Sequence, residues 1–166
     1  PAASGPGDRE IRPMFRAARL GVVPYPAAPD AALSMIHVAD LADAIAACLT
    51  RSGPSQATFE VDVGVPRGYR WPYNLGALGE AVGKRPIGLR LPRAGLLGIA
   101  HANRLISRID RRPRILQPHK VAEIYWADWV VQGTRLEEVS DWRPTFDLWR
   151  GFRDTAQWYA SAPTKS

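Results

Sequence analysis

Arginine side chains between positions 104 and 120 are the residues best suited to bind a charged ligand. Six cations in this segment accompany a single acid, Asp110, so the segment carries most of the formal net charge of +6. Arg111, Arg112 and Arg114 are candidate ligands for a phosphate or a carboxylate, because a planar guanidinium can donate two parallel hydrogen bonds to either anion. We therefore predict that these three residues bind the anionic part of a substrate.

The same charge pattern has other interpretations. A solvated helix face followed by a basic loop would also be rich in arginine. A sequence pI near 10.0 is compatible with a nucleic acid or an anionic membrane as partner. Nucleic-acid binding is the less favoured function, because Trp126 and Trp129 lie nearby but no recognised binding motif accompanies them.

The histidines and the cysteine form no recognisable catalytic or metal-binding motif. His119 lacks a second ligand at metal-binding spacing, and His101 has no evident partner. His37 lies in a predicted strand and is interpreted as a hydrogen-bonded core residue. Cys48 is the single cysteine and is predicted to be a buried structural thiol. We predict no metal site and no catalytic residue in this chain.

The central structural element is predicted at residues 34–51, where a buried strand leads directly into a helix. Met35, Ile36 and Val38 form a short apolar run typical of a strand. Asp40 is then the expected N-cap of the helix. The helix is expected to bury one apolar stripe, formed by Leu41, Ile45, Cys48 and Leu49. A strand followed by an amphipathic helix is the unit of layered α/β domains.

Further periodic segments extend this α/β pattern. Helices are predicted at residues 11–20, 72–82, 94–109 and 118–126, followed by a last helix that Asp147 caps. Residues 58–63 and 86–91 alternate like strands, so with the helix between them they predict a βαβ unit with parallel strands. The proline-rich residues 22–32 are predicted to form an irregular loop.

Three motifs resemble, in order, the second half of the extended short-chain dehydrogenases/reductases, the NAD-dependent epimerase/dehydratase family. The run IHVADLADAI, residues 36–45, resembles that family's strand-to-helix segment. Residues 5–10, GPGDRE, resemble its turn after a sheet strand. Residues 134–159 resemble its ending, with Trp142 and Gly151 in step. The resemblance implies an α/β fold in which residues 1–166 form a single unit, the carboxyl-terminal part of a Rossmann-type enzyme.

The same resemblance implies NAD or NADP as cofactor, bound mainly by an amino-terminal half that we expect to precede this sequence in the intact enzyme. Ala3 and Ser4 are the residues implied to lie beside the nicotinamide. The sequence contains no glycine-rich strand-to-helix fingerprint and no tyrosine followed four positions later by lysine. We therefore expect no catalytic activity from this chain alone.

The resemblance also implies a small-molecule substrate, most often a nucleotide-linked sugar. Members that bind such sugars often carry an arginine near the central strand, where this sequence has Leu33 and Ser34. A lipid-like, steroid-like or isoprenoid substrate is therefore open. A noncatalytic basic module that binds an anionic ligand or a nucleic acid is the alternative function. We further expect a cytoplasmic protein without a membrane span, which could form a homodimer when intact.

Overall fold

The computed structural model describes residues 2–26, 31–50, 57–110, 118, 121–122, 125 and 128–161. The named helices are α1 (Arg12–Leu20), α2 (Val38–Thr50), α3 (Trp71–Val82), α4 (Arg93–Asp110), α5 (Leu136–Val139) and α6 (Leu148–Ser161). The strands are β1 (Ala2–Ser4), β2 (Val22–Pro26), β3 (Ala32–Leu33), β4 (Met35–His37), β5 (Tyr69–Arg70), β6 (Ile87–Leu91) and β7 (Asp128–Trp129).

The strands of the described residues form three small sheets. β1 pairs in parallel with β4, and β2 pairs in parallel with β6. β3 lies between β5, its antiparallel partner, and β7, its parallel partner. Parallel strands need a crossover connection, which is usually helical. The mixture of parallel pairs and connecting helices confirms the predicted α/β fold class.

The ends of three helices follow local sequence signals. Gly21 and Gly83 adopt left-handed conformations, with φ of 94° and 68°, immediately after α1 and α3. Glycine is the residue that adopts this conformation without steric cost, and it is common after a helix. At the start of α6, the Asp147 carboxylate accepts a 2.7 Å hydrogen bond from the Arg150 amide, which confirms the predicted cap. Five predicted helices, α1 to α4 and α6, are confirmed over most of their lengths. Of residues 118–126, those at 118, 121 and 122 are described as helical.

The prediction of an irregular loop at residues 22–32 is wrong for its first half. Val22–Pro26 is a strand, β2, in register with β6 from Val22 opposite Ile87 to Pro26 opposite Leu91. Among the described residues β6 is the only partner of β2, which leaves β2 at an edge. Proline lacks an amide donor, and an edge strand can hold it without breaking a ladder on that side.

Residues 58–63 were predicted to be the parallel partner of β6, and this prediction is also wrong. Their ladder is reduced to one bridge between Glu60 and Arg135. The amides of Gln132 and Gly133 donate to the Glu60 carboxylate, at 2.9 and 2.5 Å. These bonds, with Gly133 contributing most, hold the pKa of Glu60 below its ordinary value. The segment is therefore fastened to the chain that precedes α5 rather than to β6.

The largest apolar cluster lies where α1, α3 and α6 pack together. Phe15 of α1 contacts Phe152 of α6 edge-on, with ring centroids 5.4 Å apart, and Leu78 of α3 is buried in the same cluster. A second cluster joins Ile36 of β4 to Trp142. The apolar residues spaced along one face of α1 and one face of α6 thus form a shared core that holds both helices against the strand β4.

Helix α2 buries only part of the face predicted for it, at Leu41. Ala44 is buried against the cluster of Ile36 and Trp142, whereas Ile45 and Leu49 are 55% and 81% exposed. Cys48 is exposed as well, so the prediction of a buried thiol is wrong. The inward face of α2 is formed by Leu41 with the small residues Ala44 and Ala47, and Ile45, Cys48 and Leu49 lie on the outer side of the helix.

A third cluster packs the middle of α4 against residue 121. Leu96 and Ala100 are buried with Val121. With 18 residues, α4 is the longest of the described helices, but its sequence contains the charged residues Arg93, Arg104 and Arg108. Among the described helices, none has both the length and the apolar character needed to cross a bilayer.

Candidate functional site

The candidate site lies at the carboxyl ends of the parallel strands β1 and β4. Ser4, the last residue of β1, is in register with His37, the last residue of β4, and both are buried. A tight turn at Gly5–Pro6–Gly7 follows β1, and α2 follows β4 without a connecting loop. In open α/β sheets, ligands bind in the crevice outside the carboxyl ends of the strands. The predicted cofactor contact at Ser4 therefore lies at the expected edge of a parallel pair.

Gly5 allows the two strand ends to approach closely. A Cβ atom at Gly5 would lie 2.5 Å from Cγ1 of Val38 and 3.3 Å from Nε2 of His37. A contact of 2.5 Å between carbon atoms is well inside their optimal separation. The turn after β1 therefore rests directly on the first residue of α2, and its position depends on β4.

His37 is held by its neighbours on two sides. Its Nδ1 accepts a 3.3 Å hydrogen bond from the Ala39 amide, and its ring stacks on Phe146 with centroids 3.9 Å apart. Because Nδ1 is an acceptor, the proton of the neutral ring lies on Nε2. Nε2 is 3.3 Å from Oδ2 of Asp154, within ion-pair distance, but it has no hydrogen-bond partner of good geometry in the described part of the chain. The prediction of a buried, hydrogen-bonded His37 is confirmed.

The carboxylate of Asp40 joins α2 to the segment that precedes α6. Its oxygens accept hydrogen bonds from the Thr145 amide at 3.0 Å, the Thr145 hydroxyl at 2.7 Å and the Phe146 amide at 2.9 Å. The prediction that Asp40 is the N-cap of α2 is wrong, because the helix begins at Val38 and His37 accepts the first free amide. Asp40 instead positions Phe146, which covers the ring of His37.

A second buried carboxylate supports β4 from its other end. Asp62 is fully buried; it accepts a 2.8 Å hydrogen bond from the Ser34 hydroxyl and another of 2.8 Å from the Gly64 amide. Nη1 of Arg135 lies 3.6 Å from Asp62 and supplies the opposite charge. The hydroxyl of Ser34 also accepts from the Val131 amide at 3.2 Å. This network holds the start of β4 in place and thereby sets the position of His37 at the end of the strand.

Two tyrosines with perturbed pKa values serve the fold rather than proton transfer. Burial raises the pKa of Tyr69, and burial together with the nearby charge of Asp8 raises the pKa of Tyr159 to about 12. The Tyr159 hydroxyl donates to the Asp8 carbonyl, which ties α6 to the turn after β1. A general acid or base works best when its pKa lies near the operating pH. These tyrosines therefore stay protonated at neutral pH.

We expect the Tyr159→Phe variant to lose less stability than the wild-type protein at alkaline pH. The folded state holds the Tyr159 proton more tightly than the unfolded chain, in which the pKa is near 10.0. Raising the pH from about 10 towards about 12 therefore favours unfolding of the wild type. Urea titrations across this range should show a steeper fall in the free energy of unfolding for the wild type than for the variant. Tyr73→Phe, at an exposed position, is the control; equal slopes for all three proteins would contradict the prediction.

The remaining predicted site residues have different outcomes. Ala3 is exposed on β1, opposite Ile36, one residue before the candidate site. Arg111, Arg112 and Arg114 lie outside the described residues, as does His119. Within the described ranges, no group of three or more histidine, cysteine, aspartate or glutamate side chains is arranged to hold a metal ion.

Comparison with known proteins gives one relative at the level of sequence. The chain is 30% identical over 164 residues to a curated protein named ceramide reductase, from Caulobacter vibrioides. The alignment covers 98% of this chain and 50% of that protein. The chain thus spans about half the length of the curated relative that it matches. No protein-family model matches the sequence.

Several solved structures with the same fold are nucleotide-sugar enzymes by name. UDP-glucose 4-epimerase from Thermus thermophilus, in complex with NAD, is 19% identical with a TM-score of 0.58, over 97% of this chain and 45% of its own. UDP-glucose 4-epimerase from Thermotoga maritima, with UDP-glucose, is 15% identical with a TM-score of 0.61, over 96% and 43%. The chain has the fold of the carboxyl-terminal part of a Rossmann-type epimerase or dehydratase. GDP-mannoheptose C4 reductase from Campylobacter jejuni, with NADP bound, shares this epimerase/dehydratase fold at 13% identity and a TM-score of 0.52, over 96% and 48%.

Sequence reasoning missed the partners that assemble this site. Asp62 falls within the strand predicted at residues 58–63, and Thr145 and Phe146 were given no role. No local pattern marks these residues, because Asp40 and Thr145 are separated by 105 positions. One signal was available in the sequence: Asp40 and Asp62 each lie beside an apolar run. An acid in such a position is expected to be buried, and a buried carboxylate needs hydrogen-bond donors from elsewhere in the chain.

Proposed function

We propose that this chain is the carboxyl-terminal, substrate-binding portion of an NAD(P)-dependent oxidoreductase of the epimerase/dehydratase type. The observation that carries the proposal is the parallel pair β1 and β4, which ends in Ser4 and His37 at one edge. The relatives support a nicotinamide cofactor, since two of the structures with this fold contain NAD and NADP. The pyrophosphate-binding turn would belong to a preceding half, because this sequence contains no glycine-rich strand-to-helix fingerprint.

Ala3 and Ser4 are proposed to lie beside the nicotinamide end of the cofactor. One feature fits this role: both side chains are small and lie at the end of β1, where Ser4 is in register with His37. When bound, the nicotinamide supplies or accepts a hydride at the substrate carbon. The residues of this chain would orient the ring and exclude water from one side of it, while the proton donor comes from the preceding half.

We propose a long-chain lipid carbonyl compound as the first candidate substrate. The relative named ceramide reductase is 30% identical, whereas the nucleotide-sugar enzymes are 13–19% identical. Leu33 and Ser34 stand where an arginine for a pyrophosphate would be expected, and both side chains are engaged in the interior. A nucleotide sugar is the second candidate. For a nucleotide sugar, Arg111, Arg112 and Arg114 are proposed to hold the anionic part of the substrate.

A noncatalytic basic module is the rival function. A noncatalytic module makes two predictions that an enzyme does not. It would bind its ligand without NAD(P)H, and it would transfer no hydride. If the ligand were a nucleic acid, the binding affinity would also fall steeply as the salt concentration rises. The chain's likeness to reductases and epimerases over nearly its full length favours the enzyme.

The decisive experiment uses the protein expressed from its complete reading frame. NADH or NADPH is mixed with a long-chain keto-amide lipid in detergent, or with UDP-glucose, and nicotinamide oxidation and reduction are followed by absorbance. We expect the keto lipid to consume the reduced cofactor, with one alcohol formed per cofactor oxidised. A protein that binds neither NADH nor NADPH by calorimetry would overturn the proposal. Turnover of UDP-glucose alone would replace the first candidate substrate with the second.

A further inference from the structure

The sheet formed by β2 and β6 presents an apolar face to solvent. Gly88 faces inward, since a Cβ there would lie 2.6 Å from Cδ1 of Leu75 on α3, and Val23 is fully buried. Side chains alternate along a strand, so their neighbours point outward. These outward residues are Val22 at 43% exposure, Ile87 at 72% and Leu89 at 52%, with Leu20 at 86% just before β2. Val22 and Ile87 are directly opposite each other.

This arrangement is unusual for a parallel pair. Parallel sheets are normally covered on both faces, and contiguous exposed apolar patches mark sites of interaction. Single exposed apolar residues need no explanation. Here, however, Val22, Ile87 and Leu89 are neighbours in one two-stranded sheet, and only Gly21 separates Leu20 from Val22. We call this surface, made of Leu20, Val22, Ile87 and Leu89, the β2–β6 face.

Cations border the β2–β6 face where α1 ends and β6 begins. Nζ of Lys84 donates a 2.6 Å hydrogen bond to the carbonyl of Arg19, which brings the loop before β6 to the end of α1. Arg19, Lys84 and Arg85 are exposed. No carboxylate of the described residues pairs with these three side chains. Their charges are therefore available to an external anion.

We propose that the β2–β6 face docks on an anionic lipid bilayer. The transfer of aliphatic side chains into the acyl boundary lowers the free energy, while long basic side chains keep their charged ends at the headgroups. Anionic headgroups complement Arg19, Lys84 and Arg85. A nucleic acid fits less well, because the centre of the face is aliphatic and offers no ring on which a base could stack. The proposal is independent of the reaction proposed above.

Vesicle binding of the protein from the complete reading frame tests the charged border. The protein is sedimented with vesicles of phosphatidylglycerol and phosphatidylcholine, or of phosphatidylcholine alone. Each basic residue near an anionic surface contributes about a factor of five to binding, so the double variant Arg19→Gln/Arg85→Gln should bind the anionic vesicles about 30-fold more weakly. The matched control, Arg104→Gln/Arg108→Gln on α4, removes the same charge elsewhere and should retain most of the binding.

A second pair of variants tests the apolar centre. Ile87→Ser/Leu89→Ser should weaken vesicle binding about tenfold or more, because two aliphatic side chains no longer enter the bilayer. Leu49→Ser, at an 81% exposed position on α2, is the control and should bind like the wild type. Titration of every variant with NAD(P)H distinguishes a variant that has lost membrane docking from one that has lost its folded cofactor site.

Three results would overturn the proposal. In the first, the wild-type protein does not sediment with the phosphatidylglycerol vesicles. In the second, the arginine variants on α1 and α4 lose binding equally, which would mean that net charge alone attracts the protein. In the third, ultracentrifugation shows a dimer that Ile87→Ser/Leu89→Ser dissociates, which would make the face an interface between two copies of the protein.

Discussion

Replacement of Asp40 by alanine is expected to destabilise the protein by about 3–5 kcal/mol, because its buried carboxylate accepts three hydrogen bonds. Hydrogen bonds to a charged group contribute more than neutral ones, and the amides of Thr145 and Phe146 would be left without an acceptor. The effect should extend to the candidate site, since Phe146 stacks on His37. Urea denaturation monitored by tryptophan fluorescence would measure the loss.

Two variants make the origin of this effect testable. Asp40→Asn keeps one acceptor oxygen and should cost about half as much as Asp40→Ala. Asp43→Ala removes an exposed acid from the same helix and should change the stability by no more than about 0.5 kcal/mol. If Asp40→Ala cost less than about 1 kcal/mol, the link between α2 and residues 145–146 would not be the contact that holds this end of the fold.

Replacement of Ala3 by leucine is expected to weaken NAD(P)H binding by about tenfold or more, equivalent to about 1.4 kcal/mol. Ala3 is exposed, and the proposed position of the nicotinamide is beside it. A larger side chain would occupy that space, whereas the buried face of β1, which carries Ser4, would be unchanged. Fluorescence titration of the protein from the complete reading frame with NADH and NADPH provides the measurement.

Ala42→Leu is the matched control for this substitution. Ala42 is exposed on α2, so the same change in size should leave cofactor affinity unaltered. Thermal unfolding of both variants checks that neither has lost the fold. An Ala3→Leu protein with wild-type melting and wild-type affinity for both cofactors would exclude Ala3 from the cofactor site.

The sequence by itself determined the features that depend on near neighbours. Gly21 and Gly83 end their helices because a left-handed residue is needed there, and Asp147 caps α6 through an amide three positions away. The order of the family-like motifs was also sufficient for the fold class, because that resemblance covers local segments in their sequence order. Helix positions were therefore predicted to within a few residues.

Only the tertiary structure decided which distant segments meet. It paired β6 with β2, at an edge that tolerates proline, and it reduced residues 58–63 to one bridge. It turned the alanine side of α2 inward, which left Cys48 exposed. Asp40 lies next to a helix start in sequence, yet its donors are Thr145 and Phe146. The physical reason is that a buried carboxylate is satisfied by whichever donors packing brings to it, and sequence spacing carries no record of that choice.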